Sequence, residues 1–309
     1  MEKSGLILLN KKAGVTSFKA LGDIKRSLST GKVGHTGTLD KFASGLLVVL
    51  AGRALRLSTW FSHCDKQYIG RICFGIETNT LDPEGEKIAE APLPSREKVE
   101  SALVKFTGRI MQSPPAYSAI HINGERASSL ARSGKTVEMK ERPVSIYRLD
   151  LRSWQPPFAE IFVHCSSGTY IRSLVRDIAL AAGSRAYLYA LTRTQVADFK
   201  LEDAQCITTN YEEISLKPID KTVIGSLGLP WFEISPSEAE KIACGKPLEP
   251  ILDGKPLSST PSAPDFNAAV FLKESLSAII EKSAGKWKYS CVLFSDNLKL
   301  SENSDYKCL

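Results

Sequence analysis

The apolar positions of the chain change period along its length, and each change marks an element. Leu6 to Leu9 form a short unbroken apolar run that predicts a buried strand over residues 5–9. Residues 18–28 repeat their apolar side chains at helical spacing, with Thr16 or Ser17 placed as N-cap. Residues 31–45 carry no period and read as a loop. The run Leu46 to Leu50, closed by Gly52, then predicts a strand covered on both faces, so Asp40 falls just before a core strand.

Downstream, the pattern predicts a strand over 67–74, a turn over 79–85 and a helix over 95–106 capped by Ser95. Asn123-Gly124 is a hairpin signal, and residues 144–151 and 159–165 alternate as strands. Over 169–182, Ile171, Leu174, Val175, Ile178 and Ala182 form an apolar stripe ended by Gly183. Arg172 sits off that stripe in the first turn, which leaves its guanidinium to point at whatever lies near the helix start. A strand follows over 187–199. Many strands with few helices between them imply an α+β layout.

The pattern breaks at Leu227-Gly228-Leu229-Pro230, which places a domain boundary near residue 228. Beyond it, residues 252–268 are rich in Ser, Pro, Gly and Asp and read as a long exposed loop, and strands are expected over 270–272, 276–280 and 287–294.

Length agrees with this division, because 309 residues exceed the usual single core. With 43% hydrophobic and 24% charged residues the composition is that of an ordinary soluble protein, and no stretch approaches a membrane span. The first apolar run stops at Asn10-Lys11-Lys12, too short for a signal-peptide core, so a cytoplasmic location is expected. Seven scattered cysteines without a Cys-x-x-Cys pair speak against both a disulfide framework and a zinc site, and His63, His121 and His164 show no ligand spacing. The formal charge of +6 fits a polyanionic partner without requiring one. Lys19, Lys25, Arg26 and Lys32 gather just before Gly34, a grouping that suits phosphate but that, taken alone, reads first as a solvated helix face.

Residue types alone do not make Asp40 a catalyst, since an aspartate in a Gly- and Thr-rich loop is ordinarily a turn residue. No glycosidase-type carboxylate pair stands out, and Gly34-x-x-Gly37 lacks the Lys-Ser/Thr ending of a nucleotide-binding loop. Residues 33–45 (VGHTGTLDKFASG), however, resemble the signature of the TruB family of pseudouridine synthases, with Asp40 at the position of the nucleophilic aspartate. The resemblance continues in family order through GLILLNKKAGVTS at 5–17, Lys66-Gln67-Tyr68, the 79–85 turn, Tyr117-Ser118-Ala119, CSSGTYIR at 165–172, Asp177 and Leu191-Thr192-Arg193-Thr194.

What the resemblance implies is specific. The fold would be a mixed, mainly antiparallel sheet with flanking helices over residues 1–228, followed by a small β-rich PUA-like RNA-binding domain over 229–309. The activity would be a tRNA pseudouridine(55) synthase that flips uridine-55 out of the T-loop and uses no metal or organic cofactor. Breaking the C1′–N1 bond and re-forming it at C5 calls for a carboxylate beside the sugar, the role of Asp40; Arg172 would offset its desolvation, and Tyr68 would lie against the extruded ring. His35 would stack where the uridine left, Tyr170 and Leu191 would wall the pocket, and Lys11 would contact the RNA. The partner would be the T-arm of tRNA, with the enzyme a monomer needing no protein partner and no membrane. A guide-RNA-dependent synthase and a non-catalytic tRNA-binding chaperone are the alternatives.

The chain departs from the family pattern in four places. Lys12 and Lys41 stand where family prolines do, which predicts a less rigid aspartate loop. One arginine of the usual pair is missing beside Arg193, and Ala197-Asp198 occupies a position where glycine is common.

Overall fold

The computed structural model describes residues 3–122, 124–133, 138–206 and 214–293. Its strands are β1 (Gly5–Lys11), β2 (Val33–His35), β3 (Ser44–Ala51), β4 (Lys66–Phe74), β5 (Ile76–Thr78), β6 (Lys87–Glu90), β7 (Gly108–Gln112), β8 (His121–Ile122), β9 (Glu125–Arg126), β10 (Arg142–Gln155), β11 (Phe158–Cys165), β12 (Ala186–Val196) and β13 (Phe199–Lys200), then β14 (Trp231–Glu233), β15 (Phe266–Leu272), β16 (Ser275–Ser283) and β17 (Lys286–Val292). The helices are α1 (Ser17–Leu28), α2 (Ser58–Ser62), α3 (Arg96–Lys105), α4 (Ala127–Arg132), α5 (Ile171–Ala181), α6 (Lys221–Ser226), α7 (Pro236–Ala243) and α8 (Glu249–Leu252). No helix among the described residues is long and apolar enough to cross a membrane.

The large sheet runs β1-β3-β12-β4-β11-β10-β7, with β2 added to β3 and β13 to β12. Every pairing in it is antiparallel except β3 with β12, so the sheet is mixed and mainly antiparallel. That parallel contact is unusually close. Gly45 has φ +104°, and a Cβ on it would lie 2.4 Å from the Arg193 carbonyl oxygen, so only glycine lets the start of β3 meet β12.

One face of the sheet packs against α1, α3 and α5, where Ile24, Val99 and Ile178 meet Leu47, Ile72 and Ile161 in one apolar cluster. The opposite face of β1 and β3 is covered by Phe61 of α2, Ile224 of α6 and Phe271 of the C-terminal sheet. This double cover is why β3 reads as an unbroken apolar run. The C-terminal sheet, β14-β15-β16-β17, keeps a further core of Phe232, Ile242, Val270 and Ile280. Its helix α7 opens with a capping box between Ser235 and Glu238 and Pro236 in the first turn.

Several expectations change in detail. The segment 31–45 is not all loop, because Val33 to His35 pair with Ala51 to Val49. β12 borders β3 only at Ser44 and Gly45, and the short β2 supplies partners for the far half of that edge, whose backbone groups would otherwise be buried unpaired. The strand expected over 144–151 extends to Arg142–Gln155, carried past its apolar core by two register shifts against β11. The exposed loop expected over 252–268 is shorter at both ends, since Leu252 closes α8 and residues 266–268 belong to β15. Asn123 of the hairpin and Phe294 of the last expected strand lie outside the described residues.

At the end of β1, Lys11 is 1% exposed. Its Nζ donates to the carbonyls of Ala43 (2.6 Å), Val15 (2.7 Å) and Lys12 (3.1 Å), which uses all three ammonium protons. Burial lowers its pKa to about 8, against the opposing pull of Asp40. Ser17 adds a second tie, donating to Leu39 O at 2.9 Å and accepting from Leu39 N–H at 3.0 Å. The aspartate loop is thus sewn to β1 and α1.

Lys11→Met, which keeps the volume but strips these carbonyls of their donor, is expected to lower stability by about 2–4 kcal/mol, read as a drop in the urea midpoint at constant slope. Ala197, in the turn between β12 and β13, adopts φ +48°. Ala197→Gly is expected to raise stability by about 0.5–1 kcal/mol, read as a rise in the same midpoint, the relief of a left-handed alanine less the added freedom of the unfolded chain.

Candidate active site

Arg172 enters from the second residue of α5, a helix whose N-cap Tyr170 makes no side-chain cap. Gln112 of β7, 1% exposed, supplies what the cap lacks: its Oε1 accepts from the Tyr170 N–H at 2.9 Å and its Nε2 donates to the Tyr170 carbonyl at 3.1 Å. Ser173 Oγ donates to Ser113 O at 2.8 Å, pinning the same turn. The first turn of α5 is therefore held firmly enough to aim a side chain.

That side chain meets Asp40 in a two-pronged contact, Nε to Oδ2 at 2.9 Å and Nη2 to Oδ1 at 3.1 Å. Two of the remaining three guanidinium protons go to Thr80 O (2.8 Å) and Tyr117 O (3.0 Å), and Asp82 Oδ2 lies 3.6 Å from Nη1 as an ion-pair partner. Arg172 is off the apolar stripe, as its spacing requires, but it is not on an open face: its side chain is 5% exposed, covered by the 79–85 turn and the Tyr117 segment. Asp40 by contrast is 36% exposed. One edge of its carboxylate is closed by the cation and the rest is accessible, the arrangement a reacting carboxylate needs.

Asp82 was legible only as part of a turn, yet it is a charged member of the site. It is 6% exposed, and burial pushes its carboxyl above the usual range, against the stabilising pull of Thr80 and Arg172. Thr80 Oγ1 donates to Asp82 Oδ1 at 2.6 Å, as does the Glu84 N–H at 3.0 Å. The turn is wound tightly: Leu81 has φ +61°, and a Cβ on Gly85 would lie 2.2 Å from Thr80 Oγ1. A left-handed leucine is costly, and its place beside the two groups that face Arg172 marks the strain as serving their orientation.

Tyr68 lies on the helix-covered face of β4 and is 8% exposed. Burial pushes its phenol up to about 12, against the neighbouring Arg193 guanidinium, so it is un-ionised at neutral pH. Arg193 is the cross-strand neighbour of Tyr68 and is 2% exposed, donating from Nε to Leu46 O (2.7 Å) and from Nη2 to Gly37 O (3.1 Å). Its importance was hidden in the sequence because its partners are backbone carbonyls, which no spacing reveals.

His35 ends β2, with Nδ1 buried and without a hydrogen-bond partner among the described residues; burial, aided by Arg193, depresses its pKa and favours a neutral ring. Leu191 is 7% exposed and shares an apolar cluster with Tyr68 and Leu39. Tyr170 is partly buried two residues before Arg172, and burial raises its phenol. Lys11 does not suit the expected RNA contact: with its ammonium protons committed to three carbonyls it has no donor left for phosphate, and its place is under the loop.

Comparison with known proteins identifies the family. Residues 25–171 match the model of the TruB family pseudouridylate synthase (N terminal domain). A "tRNA pseudouridine synthase B" of Treponema denticola is 46% identical over 66% of this chain and 63% of its own length. A protein of the same name from Borreliella burgdorferi is 42% identical over 72% of this chain and 82% of its own, and one from Francisella tularensis subsp. novicida is 45% identical over 65% and 68%. Among solved structures, a chain of a Cbf5-Nop10-Gar1 complex matches 94% of this chain and 85% of its own with a TM-score of 0.72 at 22% identity, a likeness of fold. On these matches, the chain belongs to the TruB family of pseudouridylate synthases.

Proposed function

We propose that this chain isomerises uridine-55 in the T-loop of tRNA to pseudouridine, with Asp40 as the catalytic carboxylate and with no metal or organic cofactor. The observation that carries the reading is the Asp40 carboxylate, clamped on one edge by a buried Arg172 and open on the other. Names carried by its relatives, tRNA pseudouridine synthase B, support the substrate.

The uridine must leave the RNA stack before any group can reach its sugar, at a cost of about a few kcal/mol. His35, as a neutral aromatic ring, takes the vacated place and offsets part of that cost by stacking. Tyr68, Tyr170 and Leu191 wall the pocket for the extruded base. With the base so held, Asp40 assists rupture of the C1′–N1 bond, the uracil turns within the pocket, and a bond forms from C5 to C1′. The C5 proton then leaves and N1 regains one, so the product is an isomer. Tyr68 serves as an un-ionised phenol, able to donate a hydrogen bond but poorly suited to accept a proton as phenolate.

The same reading assigns residues 1–228 to catalysis and 229–309 to gripping RNA as a PUA-like module. It makes the protein a monomeric, stand-alone cytoplasmic enzyme. The test is to incubate the protein with unmodified tRNA transcript and map pseudouridine by chemical probing. Binding without pseudouridine formation in the wild type would overturn the enzymatic reading.

Asp40→Asn is expected to reduce the rate by about 10⁴-fold or more. Arg172→Ala should cost about a hundredfold or more in single-turnover rate while tRNA affinity stays within about threefold, because Arg172 holds Asp40 and does not recruit RNA. A parallel loss of affinity in a filter-binding assay would contradict that division of labour.

A further inference from the structure

The C-terminal sheet and α2 cover the outer face of the large sheet at β1 and β3, and the outer face of β4, β11 and β10 carries a different kind of surface. On β11 the inward positions Ala159, Ile161 and Val163 belong to the helix-covered core, and the outward ones include Phe158 and Phe162, both partly exposed. Outward positions of a solvated antiparallel sheet are ordinarily polar. Here each phenylalanine lies under arginine. Arg71 sits 4.2 Å from the Phe158 ring centre and 5.4 Å from that of Tyr189, which is 42% exposed; Arg148 and Arg152 sit 5.3 and 5.2 Å from Phe162.

We propose that this face is a second RNA-binding surface, one that takes unpaired nucleotides by stacking. Among the described residues, the side chains of Arg71 and Arg152 have no hydrogen-bond acceptor or ion-pair partner, and both lie over aromatic rings. A guanidinium over a ring offers its outer face to a base and its in-plane N–H groups to phosphate, the two things a single strand presents together. Tyr189 adds an exposed aromatic edge to the same patch. Stacking favours RNA bases over an acidic peptide as the occupant: Asp150 already engages Arg148 at 2.7 Å and Glu160 is the register partner of Arg71, so the patch has little net charge to hold an anion by charge alone, and a peptide carboxylate brings no ring to stack. Stacking is its main resource, and binding here should weaken only gently with salt, by a slope of about −1 to −2 in log affinity against log salt, as for one to three phosphate contacts.

The face lies opposite the proposed active site. Residues 68 and 72 of β4 point into the helix-covered core, and Arg71, one position out of phase, points away from it. Occupancy of the two faces is therefore separable.

The experiment uses the full chain and a fluorescein-labelled twelve-nucleotide oligoadenylate, which stacks well and offers no uridine, with and without a saturating unlabelled T-arm stem-loop. Anisotropy should show binding that persists when the stem-loop is present and falls about tenfold in the double variant Arg71→Gln/Arg152→Gln. Pseudouridine formation on tRNA and the thermal midpoint should be unchanged in that variant, which separates this surface from the catalytic reading and from misfolding. Absence of oligoadenylate binding, equal affinity in the double variant, or complete displacement by the stem-loop would overturn the proposal. So would displacement by an oligoglutamate of the same length as effective as that by unlabelled oligoadenylate, which would make the face an acidic-peptide site.

Discussion

A buried guanidinium must find acceptors for five N–H groups, and much of the geometry around Arg172 follows from that demand. Its partners come from separate parts of the chain: Asp40 from the loop before β3, Thr80 and Asp82 from the turn between β5 and β6, and Tyr117 from the segment after β7. Satisfying one side chain therefore fixes these segments against the start of α5. Of the four partners only Asp40 combines a charge with substantial exposure. The surrounding groups hold the cation, and the cation presents the carboxylate.

The aspartate loop repeats this principle on a smaller scale. Arg193 grips it at Gly37, Arg172 at Asp40 and Lys11 at Ala43, three cations contacting positions three residues apart. This bears on Lys41, which replaces a proline that would restrict Asp40 through local sterics. In its place the Lys41 carbonyl accepts from the Gly14 N–H at 2.7 Å, and its ammonium meets Glu84 at 2.6 Å. The loop expected to be less constrained is fastened by tertiary contacts, and the lysine ties it to the turn that also carries Asp82.

What could be read in advance and what could not divides along the same physical line. Apolar burial has a period, so β1, α1, β3, α3 and α5 were visible with their caps Thr16 and Ser95. Polar burial has none. Gln112, Asp82 and Arg193 are buried by bonding to backbone groups or charges distant in sequence, and nothing in their neighbours' spacing marks them. Lys11 was recognisable as a site residue through family resemblance, but a motif does not distinguish a lysine that faces RNA from one that faces three carbonyls. Arg172 shows the limit most sharply: a helix stripe sorts residues by contact with the apolar core, and a second, polar interior can lie on the other side of the same helix. β2 was missed for a different reason, since it pairs to complete an edge that β12 leaves short.

The two faces of the large sheet follow from how each strand is covered. β3 is apolar without a break from Leu46 to Ala51 because helices cover one side and the C-terminal sheet with α2 covers the other. β11 alternates because only its inner side is covered, and that side is the ordinary core. Coverage alone would leave the outer side of β11 polar. Phenylalanines there, each capped by arginine, cannot be attributed to the core, to the helices or to the C-terminal sheet, none of which they join. Cross-strand packing stabilises such pairs modestly, by about 0.5–1 kcal/mol at an exposed site. That gain explains why the rings are tolerated in water, and it leaves the in-plane N–H groups of the exposed Arg71 and Arg152 facing solvent. What sets the face apart from an ordinary solvated sheet is that partly exposed rings and guanidinium planes lie together on it, both of them surfaces on which a base can stack.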